Sequence, residues 1–126
     1  MIFGIGTDVV DCSRIETMWV RYGKRFAERI LSECELPEFL AQNNQPRFLA
    51  KRFAAKESFA KAVGSGLRAP VSLRRISVTH DGLGKPVFQF DQVLRHHLAQ
   101  LGISGHHLSV SDEQNVIVAF AILETN

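Results

Sequence analysis

Cysteine is scarce in this chain of 126 residues: only Cys12 and Cys34 occur, without metal-ligand spacing. Two reduced thiols in a cytosolic protein are therefore the expectation. No apolar stretch reaches the roughly 18 residues of a membrane span, so no membrane partner is expected. Met1-Ile2-Phe3-Gly4 has neither a basic leader nor a cleavage site and reads as a first strand, not a signal peptide. Internal repeats and low-complexity segments are absent too. A large charge excess is missing as well, since the formal net charge is only +2.

What is present is the composition of a globular protein, with 45% hydrophobic and 22% charged residues. The length suits one domain spanning residues 1–126, large enough to bury a core. Charge is unevenly spread. Arg47 to Arg75 holds eight Lys/Arg and one acid, Glu57, whereas Glu28 to Glu38 holds four acids and one Arg. The basic stretch lies on patterned sequence, which points to an anionic ligand on a folded surface and away from a disordered nucleic-acid arm.

Residues 2–7 read as a strand. Ser13-x-x-Glu16 has the form of a capping box and predicts a helix from Ser13 to Gly23. Ser32-x-x-Glu35 predicts another toward Gln42, and a longer helix follows over residues 46–63, stopped by Gly64-Ser65-Gly66. Alternation predicts strands at 75–81 and 86–90 around Gly82-Leu83-Gly84, then a helix from Asp91 to Leu101 and a strand around Leu108–Ser111. After a turn at Asp112–Asn115, Val116–Leu123 is continuously apolar, as for a strand covered on both faces. The order is α+β with a mostly antiparallel sheet and a long central helix.

On the long helix, Phe48, Leu49, Phe53, Phe59, Ala60 and Val63 form an apolar sector into which Arg52 and Lys56 fall. Cations there must pair, snorkel or face a ligand. Glu57 and Lys61, four apart, share the flank of that sector. Far upstream, Gly4-Ile5-Gly6-Thr7-Asp8 is an apolar run ending in a carboxylate, with glycines that permit close backbone approach. Two carboxylates from distant elements beside an ammonium suit a hard divalent cation holding a phosphate, because Mg²⁺ takes one or two protein carboxylates and fills its other sites with water and phosphate oxygens.

The strand end at Gly4–Asp8, the run Arg47-Phe-Leu-Ala-Lys-Arg-Phe-Ala-Ala-Lys-Glu-Ser-Phe-Ala-Lys-Ala62 and the late Gly84-Lys85-Pro86 together resemble the 4′-phosphopantetheinyl transferases, specifically the short holo-[acyl-carrier-protein] synthase type of fatty acid biosynthesis. The resemblance implies transfer of the 4′-phosphopantetheine arm of coenzyme A to a serine of apo-acyl carrier protein, in the cytoplasm, by a homotrimer with active sites between subunits. It implies that Asp8 and Glu57 ligate Mg²⁺ (or Mn²⁺), that Glu57 is the base toward the serine, directly or by way of a metal-bound water, and that Lys61 contacts the pyrophosphate. Asp8 acting through such a water is the alternative. Arg52, Lys56, the Ser65-Gly66 loop and Lys85 are the candidates for further coenzyme A contacts. For the carrier, it points to a basic first helix: Arg14, Met18 and Arg21, with Lys24 and Arg25 just after.

Asp112 stands where many members of that family have His, so it is left out of the catalytic set. His96, His97, His106 and His107 are read as surface or interface residues. Two other classes use similar side chains: a metal-dependent phosphodiesterase or nucleotide hydrolase, and a non-catalytic module that docks acidic helices. Neither accounts for the full run from Arg47 to Ala62.

Overall fold

A computed structural model describes residues 1–126. Strand β1, Ile2–Asp11, runs directly into helix α1, Cys12–Tyr22. The cap of α1 is Asp11 and not the expected Ser13. Its carboxylate accepts from the Ser13 amide at 2.9 Å and the Ser13 hydroxyl at 2.7 Å, satisfying an otherwise orphaned donor of the first turn. Gly23, at φ 58°, separates α1 from α2, Lys24–Ile30. The sequence reading passed over α2, although Phe26, Ala27 and Ile30 keep helical spacing.

The capping box at Ser32 and Glu35 is present, but it opens a single 3₁₀ turn ahead of the five-residue α3, Leu36–Leu40. Helix α4, Gln45–Val63, is capped by the Asn44 side chain, which accepts from the Arg47 amide, and ends at Gly64 in the left-handed conformation. Strands β2, Ile76–His80, and β3, Pro86–Phe90, form a hairpin, and α5, Gln92–Gln100, is capped by Asp91. Strands β4, Ile103–Glu113, and β5, Val116–Thr125, make a second hairpin. Because β4 continues through Asp112, the predicted turn shrinks to Gln114 and Asn115.

Every strand pairing is antiparallel. One sheet has the order β1-β5-β4, and β2-β3 is a separate pair. This is the expected α+β class with its sheet divided in two. Helix α4 is the hub, with 12 of its 19 residues buried, and small side chains (Ala50, Ala54, Ala55, Ser58, Ala60, Ala62) let its neighbours approach from most sides. On β5, Ile117, Ala119, Ala121 and Leu123 point into this core and are wholly buried. The opposite face of β5 is not covered as expected: Phe120 is 38% exposed, because helices pack on only one side of the sheet.

The strand β1 lies on α4 backbone to backbone. A Cβ on Gly4 would stand 2.0 Å from the carbonyl oxygen of Ala62, and one on Gly6 1.9 Å from that of Ser58. Only glycine permits this approach.

The second fixed point is a buried ion cluster. Glu35 accepts from Lys56 Nζ at 2.6 Å, from Arg52 at 3.0 Å, and from the amides of Ser32 and Val78 at 2.9 Å each. Lys56 Nζ also donates to the carbonyls of Ile30 at 2.7 Å and Leu73 at 3.0 Å. Three acceptors match the three N–H donors of an ammonium, so the site satisfies the charged form. Burial by itself would raise the Glu35 carboxyl, but the Lys56 charge and hydrogen bond and the two amides hold it below its ordinary value. Arg52 reaches on to Glu38 at 3.2 Å and stacks 4.3 Å over the Phe48 ring. Both cations of the apolar sector are thereby paired in the interior. Arg52 and Lys56 are not the coenzyme A contacts expected of them.

Glu35→Ala leaves two buried cations short of a partner and is expected to cost about 3–5 kcal/mol in a urea titration. The carboxyl is held low, so its stabilisation is present above the unfolded value near 4.5 and lost as pH falls below it. Wild-type stability should therefore drop through that range more steeply than that of Glu35→Gln. Gly6→Ala must push strand and helix apart, and a loss of at least about 1–3 kcal/mol is expected by the same titration.

Candidate active site

Alternation along β1 places Gly4, Gly6, Asp8 and Val10 on the inner face, so the glycine contact with α4 carries Asp8 to the same helix one step further on. There it meets Lys61, whose Nζ donates to Asp8 Oδ1 and to the Thr7 carbonyl, each at 3.0 Å. Glu57 lies one helical turn before Lys61. Its carboxyl is pushed above the ordinary glutamate value, first by burial and then by the Asp8 charge, with Lys61 opposing. The pairing of these residues across more than fifty positions of sequence is as expected.

Asp8, Glu57 and Lys61 form the polar end of a cleft of about 700 Å³. Val10, Ile15, Phe26 and Phe53 make its apolar walls, and Arg14 and Met18 of α1 border it. Phe53, Glu57 and Lys61 follow one another at four-residue steps, the spacing that puts them on one strip of α4. That spacing could have identified Phe53 as a wall of the site and not only as core. Asp11 also borders the cleft, but its carboxylate is engaged with Ser13 as the helix cap. No group of three or more His, Cys, Asp or Glu side chains is gathered as a metal cage. Asp8 and Glu57 are the two carboxylates available there to a hard cation.

The remaining sequence candidates fall elsewhere. Arg21 lies 5.2 Å over the Tyr22 ring, Lys24 opens α2, and Arg25 borders a neighbouring cleft together with Met18. Ser65 and Gly66 close the end of α4: the Gly66 amide donates to the Ala60 carbonyl at 3.2 Å and the Ser65 hydroxyl to the Gly66 carbonyl at 2.8 Å. Lys85 is exposed on the β2–β3 turn. None of these three lines the cleft of Asp8 and Glu57 within one chain.

Asp112 neither enters the cleft nor caps a turn. It forms ion pairs with Arg47 and with Lys51, the latter at 3.1 Å, and joins β4 to the start of α4. Of the four paired histidines, His106 departs from the surface reading. It shares the inner face of β4 with Leu108 and Val110, where its ring packs 5.2 Å from that of Phe90, and burial lowers its pKa.

A family profile described as the 4′-phosphopantetheinyl transferase superfamily matches residues 4–121. The holo-[acyl-carrier-protein] synthase of Nitrosomonas europaea is 52% identical over 98% of this chain and 99% of its own length. That of Nitrosospira multiformis is 55% identical over the same shares. Among solved structures, the holo-[acyl-carrier-protein] synthase of Neisseria meningitidis superposes with a TM-score of 0.97 at 49% identity, covering 99% of this chain and 100% of that one. The Bacillus anthracis enzyme, solved in complex with CoA (3′,5′-ADP), gives 0.84 at 36% identity over 100% and 99% of the two chains. The cleft that unites Asp8, Glu57 and Lys61 thus lies in a chain that belongs to the 4′-phosphopantetheinyl transferase superfamily, in its holo-[acyl-carrier-protein] synthase branch.

Proposed function

We propose that this chain transfers the 4′-phosphopantetheine arm of coenzyme A to a serine of apo-acyl carrier protein, giving the holo carrier and adenosine 3′,5′-bisphosphate. The observation that carries this reading is the convergence of Asp8, Glu57 and Lys61 in one cleft whose border is Arg14 and Met18 of the basic first helix. Residues 1–126 act as one transferase domain, in the cytoplasm, in fatty acid biosynthesis. No helix is long and apolar enough to cross a membrane.

The serine oxygen forms a bond to the phosphorus that carries the pantetheine arm, and the bond from that phosphorus to the bridging pyrophosphate oxygen breaks. Glu57 takes the serine proton. Burial and the Asp8 charge raise its pKa, which makes it a stronger base than an ordinary glutamate. Lys61, held by Asp8 and the Thr7 carbonyl, sets a positive charge against the departing phosphate. The repulsion between Asp8 and Glu57, only partly offset by Lys61, fits the pair for a divalent cation, Mg²⁺ or Mn²⁺. Bound there, Mg²⁺ would supply charge neutralisation on the pyrophosphate as a Lewis acid. Lys85 and the Ser65-Gly66 segment serve the coenzyme A of an adjacent subunit in a homotrimer, assembled through the uncovered sheet face on which Ile5 is 58% and Val9 64% exposed.

Intact mass spectrometry of an apo-acyl carrier protein incubated with this enzyme, coenzyme A and Mg²⁺ tests the reading. The carrier should gain one phosphopantetheine, and the gain should vanish with chelator. Coenzyme A cleaved over an unmodified carrier would overturn it in favour of a hydrolase. Asp8→Ala and Glu57→Ala should each lower turnover by roughly 10²–10⁴-fold, as for loss of a positioned acid–base group, with an unchanged circular dichroism spectrum. In the metal-free protein the Glu57 carboxyl should titrate above 4.5, the ordinary glutamate value, as followed by NMR, because burial and the Asp8 charge raise it.

A further inference from the structure

The buried ion cluster and the active cleft meet on consecutive residues of α4. Arg52 and Lys56 are anchored in the interior, and each is followed directly by a residue of the cleft, Phe53 and Glu57. Lys56 is wholly buried, and its ammonium donates to acceptors on three other segments: the Ile30 carbonyl at the end of α2, Glu35 in the 3₁₀ turn, and the Leu73 carbonyl ahead of β2. Glu57 has no such anchor. It enters no ion pair within the chain, whereas its neighbour Lys61 is held by Asp8. The place of its carboxylate thus depends on how the backbone of α4 is turned.

The contact with β1 does not fix that turn by itself. It meets α4 at Ser58 and Ala62, four residues apart and so on one stripe, and a helix held along one stripe can still roll about it. Successive residues advance by about 100° around a helix, so Lys56 stands nearly opposite Ser58, with Glu57 midway between them. A grip at both places stops the roll. A roll of roughly 10° shifts an atom at the ~5–6 Å radius of the side chains by about 1 Å. A misplacement of about 1 Å at a reacting centre costs on the order of 10²-fold in rate. We propose that Lys56, anchored by Glu35 and the carbonyls of Ile30 and Leu73, is a positioning residue that sets the place of Glu57 opposite Asp8. It touches no reacting atom. The proposal rests on the transfer function above and adds to it a buried residue on the far side of the helix from the strand that carries Asp8.

The test compares wild type with Lys56→Met and with Glu35→Gln/Lys56→Met, the double variant leaving neither charge of the pair buried without the other. In steady-state transfer to an apo-acyl carrier protein, both variants should lose about 10–100-fold in kcat and keep the carrier KM within about twofold of wild type. The affinity of the free protein for Mn²⁺ alone, followed by water-proton relaxation without coenzyme A or carrier, should fall about tenfold, because ligands lose their hold on a metal when the groups that orient them are removed. A merely stabilising role would move neither quantity in the folded protein. A folded variant with wild-type kcat and wild-type Mn²⁺ affinity would overturn the proposal. So would a carrier KM that rises as far as kcat falls, which marks a general disturbance, or a failure of both variants to fold, which reduces Lys56 to a stabilising residue. Wild-type protein that leaves the carrier unmodified would refute the transfer function alone, since the Mn²⁺ comparison needs no turnover.

Discussion

The approach of β1 to α4 without intervening side chains is the constraint on which the active cleft depends. With Gly4 and Gly6 seated on the carbonyls of Ala62 and Ser58, the strand is held at backbone distance along the last turns of the helix. The next inward residue, Asp8, then reaches Lys61 and lies close enough to Glu57 for its charge to be felt there. A side chain at either glycine would force the strand outward. The carboxylates would separate before any group of the site was itself altered.

The same helix distributes its charges between two environments. Arg52 and Lys56 turn toward Glu35 and the end of α2, while Glu57 and Lys61, a step further round the helix, turn toward β1. A buried ion cluster of this kind is weak evidence for stability in general, because desolvation offsets much of the attraction. Here its value is geometric. Glu35 binds the 3₁₀ turn, α4 and β2 at once, and Lys56 adds the last carbonyl of α2 and that of Leu73. The segment leading to Arg74 is thereby fixed against α2.

The chemistry of the active cleft follows from incomplete compensation. One ammonium faces two carboxylates, and it is hydrogen-bonded to only one of them. Glu57 is left more basic than an ordinary glutamate, in a space with apolar walls on one side and the cationic first helix on the other. Two carboxylates and an ammonium are thus combined in a few side chains, the kind of charge arrangement that suits a transfer proceeding mainly by positioning and electrostatics.

The sequence by itself determined the class of fold, the extent of α4, the β2–β3 hairpin and the meeting of Asp8 with Glu57 and Lys61. Those features are written in local patterns: helical spacing with a capping Asn44 and a terminal Gly64, alternation around a glycine turn, and a carboxylate placed after two glycines. It also singled out Arg52 and Lys56 as cations that needed a partner, but it did not supply the partner. Only the tertiary structure decided that Glu35, from a separate segment, fills that place and removes both from the coenzyme A site. Likewise, the seven residues of α2, the packing of His106 against Phe90, the pairing of Asp112 with Arg47 and Lys51, and the position of Arg74 beside α2 came from the fold. The reason is physical: periodicity and capping act over a few residues, whereas the partner of a buried charge is chosen by which distant segments the close packing around α4 brings together.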